Sequence, residues 1–165
     1  MITDWETLVE ALRKEVQEYG ELLNLFGQQQ DAILGRDPDM VLVVTDLIGM
    51  QVKTIDRCRR DREALVNECA AREQQPLGIS LRDLMPFFLK PVHPLLNALI
   101  DEINSLVSRT KRRARQNQLL LARSIDVSQQ ILQRLNPGGI TKTYSNTGCV
   151  SLDVSGVGSR CIATS

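Results

Sequence analysis

Apolar residues recur along this chain at intervals of three and four in three long runs, the spacing that keeps side chains on one stripe of an α-helix. The first run is Trp5, Leu8, Leu12, Val16, Tyr19, Leu23 and Phe26, opened by Thr3 and Glu6 at capping-box spacing and closed by Gly35. The second follows Asp37-Pro38, an N-cap residue with proline at the first helical position. It continues through Val41, Val44, Ile48, Gln51, Ile55, Cys58, Arg62, Leu65 and Cys69 to an end near Gln75. Only a few residues link these two helices, so they fold back as an antiparallel hairpin. Pro76, Gly78, Pro86, Pro91 and Pro94 then break the pattern. Between them Ser80 and Asp83 make a second capping box, predicting one short helix that ends near Met85 and lays Leu81, Leu84, Phe87 and Phe88 over the bundle end.

The third run starts at Pro91 and is the longest. Val92, Leu96, Leu99, Ile103, Leu106, Thr110, Ala114, Asn117, Leu121, Ser124, Ser128, Ile131 and Leu135 share one face, and Pro94 is still in the first turn, where its missing N–H costs nothing. A helix of that length spans roughly 65 Å at ~1.5 Å per residue, which does not fit a compact globule. The pattern predicts an all-α fold: an elongated antiparallel three-helix bundle, coiled-coil-like, with a short crossover helix. After Asn136-Pro137-Gly138-Gly139 the composition turns to Gly, Ser and Thr, which predicts a bundle domain over 1–136 and a flexible tail over 137–165. Within the tail, Ile140, Lys142 and Tyr144, then Asn146-Thr147-Gly148, then Val150, Leu152 and Val154 also alternate as a hairpin would, although an isolated hairpin is marginal in water.

Composition agrees with long helices. The chain has 165 residues, 42% of them hydrophobic, but aromatic only at Trp5, Tyr19, Phe26, Phe87, Phe88 and Tyr144, so Leu, Ile and Val build the core. Lys plus Arg equals Asp plus Glu at 20 each, leaving no overall field to recruit nucleic acid or an acidic membrane. The charge is unevenly placed, however. Asp4, Glu6, Glu10, Glu15, Glu18, Glu21 and Asp31 outnumber Arg13 and Lys14 in the first helix. In the last, Arg109, Lys111, Arg112, Arg113, Arg115, Arg123 and Arg134 face Asp126 alone, so packing the first helix beside the third is expected to pair acid with base. Met1-Ile2-Thr3-Asp4 has no leader character and no stretch approaches the ~20 apolar residues of a membrane helix, which predicts a cytoplasmic protein without membrane insertion. Cys58, Cys69, Cys149 and Cys161 show no Cys-x-x-Cys spacing and read as free thiols.

Candidate chemistry is sparse. His93 stands between Val92 and Pro94 with no serine, cysteine or acid placed to complete a catalytic set. No Gly-rich loop precedes Lys-Ser or Lys-Thr, and no Glu-x-x-His pair offers a di-iron site. Arg109 to Arg115 resembles a phosphate-binding run, but it lacks interleaved aromatics and lies opposite the acidic first helix. More informative is Leu119-Leu120-Leu121, since three successive leucines cannot all face one neighbour. With Asn117 as origin, Leu121, Ser124, Ser128, Ile131, Leu132 and Leu135 fall within about 60° of it, Leu120 at the edge and Leu119 opposite; Ile125 and Val127 widen the arc to ~160°. Its middle is small and polar, unlike a sealed coiled-coil seam. The arc fits either a third helix packed on two others or a face left open for an amphipathic partner helix.

Asn117, Leu120, Leu121, Gln129, Gln130, Leu132, Leu135, Pro137, Tyr144 and Gly148 form an ordered set. Through it, the segment from Gln116 to Gly148 resembles the FlgN family of flagellar type III export chaperones; the rest of the chain agrees in architecture. The resemblance implies a cytoplasmic flagellar export chaperone, not an enzyme and without cofactor or metal. It would bind the C-terminal segments of hook-associated, hook-filament junction proteins, prevent their premature assembly and deliver them to the type III export apparatus. It further implies client binding at Asn117, Leu120, Leu121, Ile125, Leu132 and Leu135, and docking to the flagellar export gate through Tyr144. Ser145 and Thr147 depart from the family pattern, where a glycine often follows the tyrosine and an acid is frequent. The alternatives are a homo-oligomeric coiled-coil structural or adaptor protein, with a homodimer as its simplest form, and a nucleic-acid binder using Arg109 to Arg115.

Overall fold

The computed structural model describes residues 5–135 and, as backbone, the strands 140–144 and 150–154. Its elements are α1 (Trp5–Leu34), α2 (Pro38–Arg72), α3 (Leu81–Leu84), α4 (His93–Leu135), β1 (Ile140–Tyr144) and β2 (Val150–Val154). Thr3, the expected N-cap of the first helix, lies outside the described residues. α1 ends at Leu34, just before the glycine that marks its end in the sequence, and its cap extends one residue beyond that glycine. Arg36 takes a left-handed φ of 55° while Arg36 N donates to Ile33 O and Asp37 N to Ala32 O, the paired bonds of a Schellman cap. Asp37 then caps α2, its Oδ1 accepting from Met40 N at 3.0 Å.

The second helix stops at Arg72, short of the expected Gln75, by the same device: Gln74 has φ 54°, Gln74 N donates to Ala71 O and Gln75 N to Ala70 O at 2.8 Å. Ser80 caps α3 as its spacing predicts, accepting from Asp83 N at 3.1 Å and donating to Asp83 Oδ2 at 2.7 Å. Two single 3₁₀ turns, Met85–Phe87 and Lys90–Val92, carry the chain into α4, so Pro91 sits in a turn before the helix rather than at its start.

Long helices packed on one another make this an all-α bundle. Polar bridges fix its directions: Glu15 meets Arg62, Glu18 meets Gln51 and Gln29 meets Thr45, so numbers rise along α1 as they fall along α2 and the pair is antiparallel. The core has two parts. At the crossover end Leu8, Val9 and Leu12 of α1, Val66, Cys69 and Ala70 of α2, and Leu96 and Ile103 of α4 enclose Leu81, Leu84, Met85 and Phe88. Toward the α1–α2 turn a smaller cluster joins Leu22 and Leu25 to Val44, Ile48 and Ile55. By contact, residues 1–120 form one compact unit and 121–165 a second, α4 contributing to both. In the second, β1 pairs antiparallel with β2, Ile140 opposite Val154 and Tyr144 opposite Val150. That is the alternation reading of this stretch; the rest of the tail lies outside the described residues.

Candidate functional site

On α4 the residues singled out from the sequence separate into an inward and an outward set. Asn117 is inward: it is buried, and its Nδ2 donates to Phe26 O at 2.8 Å and to Gln29 Oε1 at 2.9 Å, tying α4 to α1. Its Oδ1 and the Oγ1 of Thr110, two turns earlier, are buried without a hydrogen-bond partner. Asn117 therefore helps to seat α4 on α1. Leu120 is half-buried, and Leu121, Ile125, Leu132 and Leu135 are exposed, Leu135 by 77%. From Gln118 to Leu135 no side chain of α4 is buried. Ser128 Oγ donates to its own helix at Ser124 O, 2.9 Å away, so this hydroxyl is satisfied without a neighbour. Tyr144 stands in β1, paired in backbone with Val150.

Between α1 and α4 runs a groove of about 700 Å³ lined by Leu23 and Gln30 on one side and Arg109, Arg112, Arg113, Gln116, Leu119 and Leu120 on the other. The acid–base pairing expected across this contact is replaced by an amide contact, Arg113 donating to Gln30 Oε1. Acids of α1 are used toward α2 instead. Glu15, buried, meets Arg62 Nε at 2.6 Å, and Glu18 accepts Gln51 Nε2 at its carboxylate (2.6 Å) and its carbonyl (3.0 Å). These bridges explain why Gln51 and Arg62 occupy core positions of the second helical run. Gly27, one turn from both Leu23 and Gln30, has nothing within 4 Å of where a Cβ would stand.

Sequence reasoning passed over a second apolar stripe. Met40, Val43, Leu47 and Met50 recur at helical spacing on α2 beside the buried Val44 and Ile48, yet all four are substantially exposed. The signal was the width of the apolar arc, more than one neighbouring helix covers. His93 has a structural place, Nε2 donating to Phe88 O at 3.0 Å across the crossover. Cys58 and Cys69 are both buried; Cys149 and Cys161 lie outside the described residues. Burial pushes the Cys58 thiol up, and burial with the Glu15 carboxylate beside it does the same to Tyr19. Among the described residues no group of His, Cys, Asp and Glu is arranged to hold a metal, and no helix is long and apolar enough to cross a membrane.

The arrangement offers binding surfaces: leucine and isoleucine side chains in water, and guanidinium groups with no carboxylate in ion-pair range among the described residues. No curated protein and no solved structure is matched by this chain. The family model described as FlgN protein matches residues 1–151, nearly the whole length and all of the described residues but the last three. This chain belongs to the FlgN family, and with it to the flagellar export chaperones.

Proposed function

We propose that this protein is a cytoplasmic chaperone that holds the C-terminal segments of hook-associated, hook-filament junction proteins, keeps them from assembling early, and delivers them to the flagellar export gate. It acts by binding alone. The client, a disordered amphipathic tail, folds as a helix on the outward face of α4 and covers Leu120, Leu121, Ile125, Leu132 and Leu135, while Asn117 holds the helix in place. Tyr144 serves the later step of docking at the gate. The observation that carries this reading is the run from Gln118 to Leu135, in which seven large apolar side chains, Leu119, Leu121, Ile125, Val127, Ile131, Leu132 and Leu135, stand exposed on one helix of a chaperone-family chain.

Calorimetric titration of the full chain with C-terminal peptides of the junction proteins from the same cell tests it. Micromolar or tighter binding with a negative heat-capacity change is expected. Leu121→Asp is expected to weaken it in a protein that stays helical, and Tyr144→Ala to leave it intact while impairing export. Unchanged affinity in Leu121→Asp would remove the proposed face. The homo-oligomeric reading draws on a separate observation, the exposed stripe Met40, Val43, Leu47 and Met50. Concentration-dependent mass in sedimentation, abolished by Leu47→Asp and unaccompanied by client binding, would favour it.

A further inference from the structure

The groove between α1 and α4 has a chemistry of its own, different from that of the apolar arc. Its walls carry apolar side chains, Leu23 of α1 and Leu119 and Leu120 of α4, the outermost of which, Leu119, is 67% exposed. Beside them stand Arg109, Arg112 and Arg113, and among the described residues no acid lines the groove. Arg113 donates to the neutral Gln30, and Arg109 and Arg112 are exposed with no carboxylate in ion-pair range among the described residues, so three positive charges in one cleft are left uncompensated. Low-dielectric walls strengthen such a field and select ligands by sign. Gly27, one turn from Leu23 and Gln30, has open space where a side chain would stand, and a glycine inside a helix weakens it. Close approach of another backbone is what that opening permits.

We propose that this groove receives an acidic amphipathic helix of the export client, its apolar side chains set at i, i+3 or i+4 and i+7 against Leu23, Leu119 and Leu120 and its carboxylates against Arg109, Arg112 and Arg113. The inference rests on the chaperone reading above and deepens it by naming the client segment's charge. It also divides recognition in two: the apolar arc from Leu121 onward supplies sign-blind affinity, and the groove chooses among amphipathic segments of similar hydrophobicity.

The test titrates the full chain with junction-protein C-terminal peptides over a range of salt concentrations, in wild type, Arg109→Glu with Arg112→Glu, and Gly27→Leu. Both arginines are exposed and outside any described bond, and leucine strengthens the helix at Gly27, so the variants are expected to stay folded, as circular dichroism checks. Expected are a loss of tenfold or more with the charge reversal, a shallower dependence of affinity on salt, preference for the peptides richest in Asp and Glu, and weaker binding in Gly27→Leu. Binding that the charge reversal leaves unchanged, with Leu121→Asp still damaging, would overturn the groove and leave the chaperone reading standing. No binding of any junction peptide by wild type would overturn both. Displacement of bound peptide by a single-stranded RNA oligomer at equal concentration would show the arginines to be a phosphate site and overturn the proposal.

Discussion

At the crossover end of the first unit, three helices and the short α3 close around Phe88, Leu84 and Leu96, each almost wholly removed from water. Toward the α1–α2 turn, the cluster of Leu22, Leu25, Val44, Ile48 and Ile55 comes from α1 and α2 alone, while Leu42, Val43, Leu47 and Met50 remain exposed beside it. Both regions are written in the same aliphatic residues at the same spacing. They differ in how many partners converge: prolines bring extra turns and Phe88 to one end, and among the described residues nothing equivalent caps the other. Apolar periodicity reports which side of a helix is to be covered; whether this chain covers it depends on the neighbours the connections deliver. Stability is concentrated at the sealed end, and surface available for binding at the other.

The contrast is tested most strongly by Phe88→Ala, expected to cost about 3–5 kcal/mol in chemical denaturation, against Leu47→Ala, expected to cost less than about 1 kcal/mol. Equal losses would break it. Next in size is Glu15→Leu, which leaves Arg62 without its partner in a half-buried site and is expected to cost about 2 kcal/mol, most of it recovered when Arg62→Met is added. A double-mutant cycle checks the recovery. Smaller, and of opposite sign, Arg36→Gly and Gln74→Gly each relieve a left-handed backbone at a helix cap and are expected to stabilise by about 0.5–1 kcal/mol, read as a shift in denaturation midpoint. The smallest effect is with pH. Cys58 and Tyr19 have folded values raised above the ordinary 9.0 and 10.0, so their contribution is complete below pH 9.0 and is lost as pH rises through the folded values. Urea midpoints are expected to fall on the alkaline side and to fall less in Tyr19→Phe with Cys58→Ala.

Most of the fold was legible because helix signals are local. Asp37-Pro38 and Ser80 with Asp83 each act within one turn and appear where their spacing put them, while Pro91 falls in a 3₁₀ turn just before the helix it was expected to start. The end of α2 was less legible, since a Schellman cap built on Gln74 lacks the glycine that advertises one. Family membership was readable from ordered residues near the end of α4. What was not readable was which of those residues turn inward. Asn117 and Leu121 lie within about 40° on the helix, too close for periodicity to separate, and Asn117 is drawn in by Phe26 O and Gln29, a long-range contact. The arginine groove was hidden for a related reason: overall charge balance predicts pairing, but Glu15 and Glu18 are committed to α2.

The ion pair of Glu15 and Arg62 also acts as an alignment key. Leucine, isoleucine and valine are nearly interchangeable from turn to turn, so a hairpin built of them alone would pack almost as well after sliding by a heptad. Here a slide would strand a carboxylate and a guanidinium in an apolar seam, a penalty of several kcal/mol for each isolated charge. The buried charges thus add less to the depth of the native state than to its uniqueness, and they hold the exposed faces of two long helices in one fixed phase.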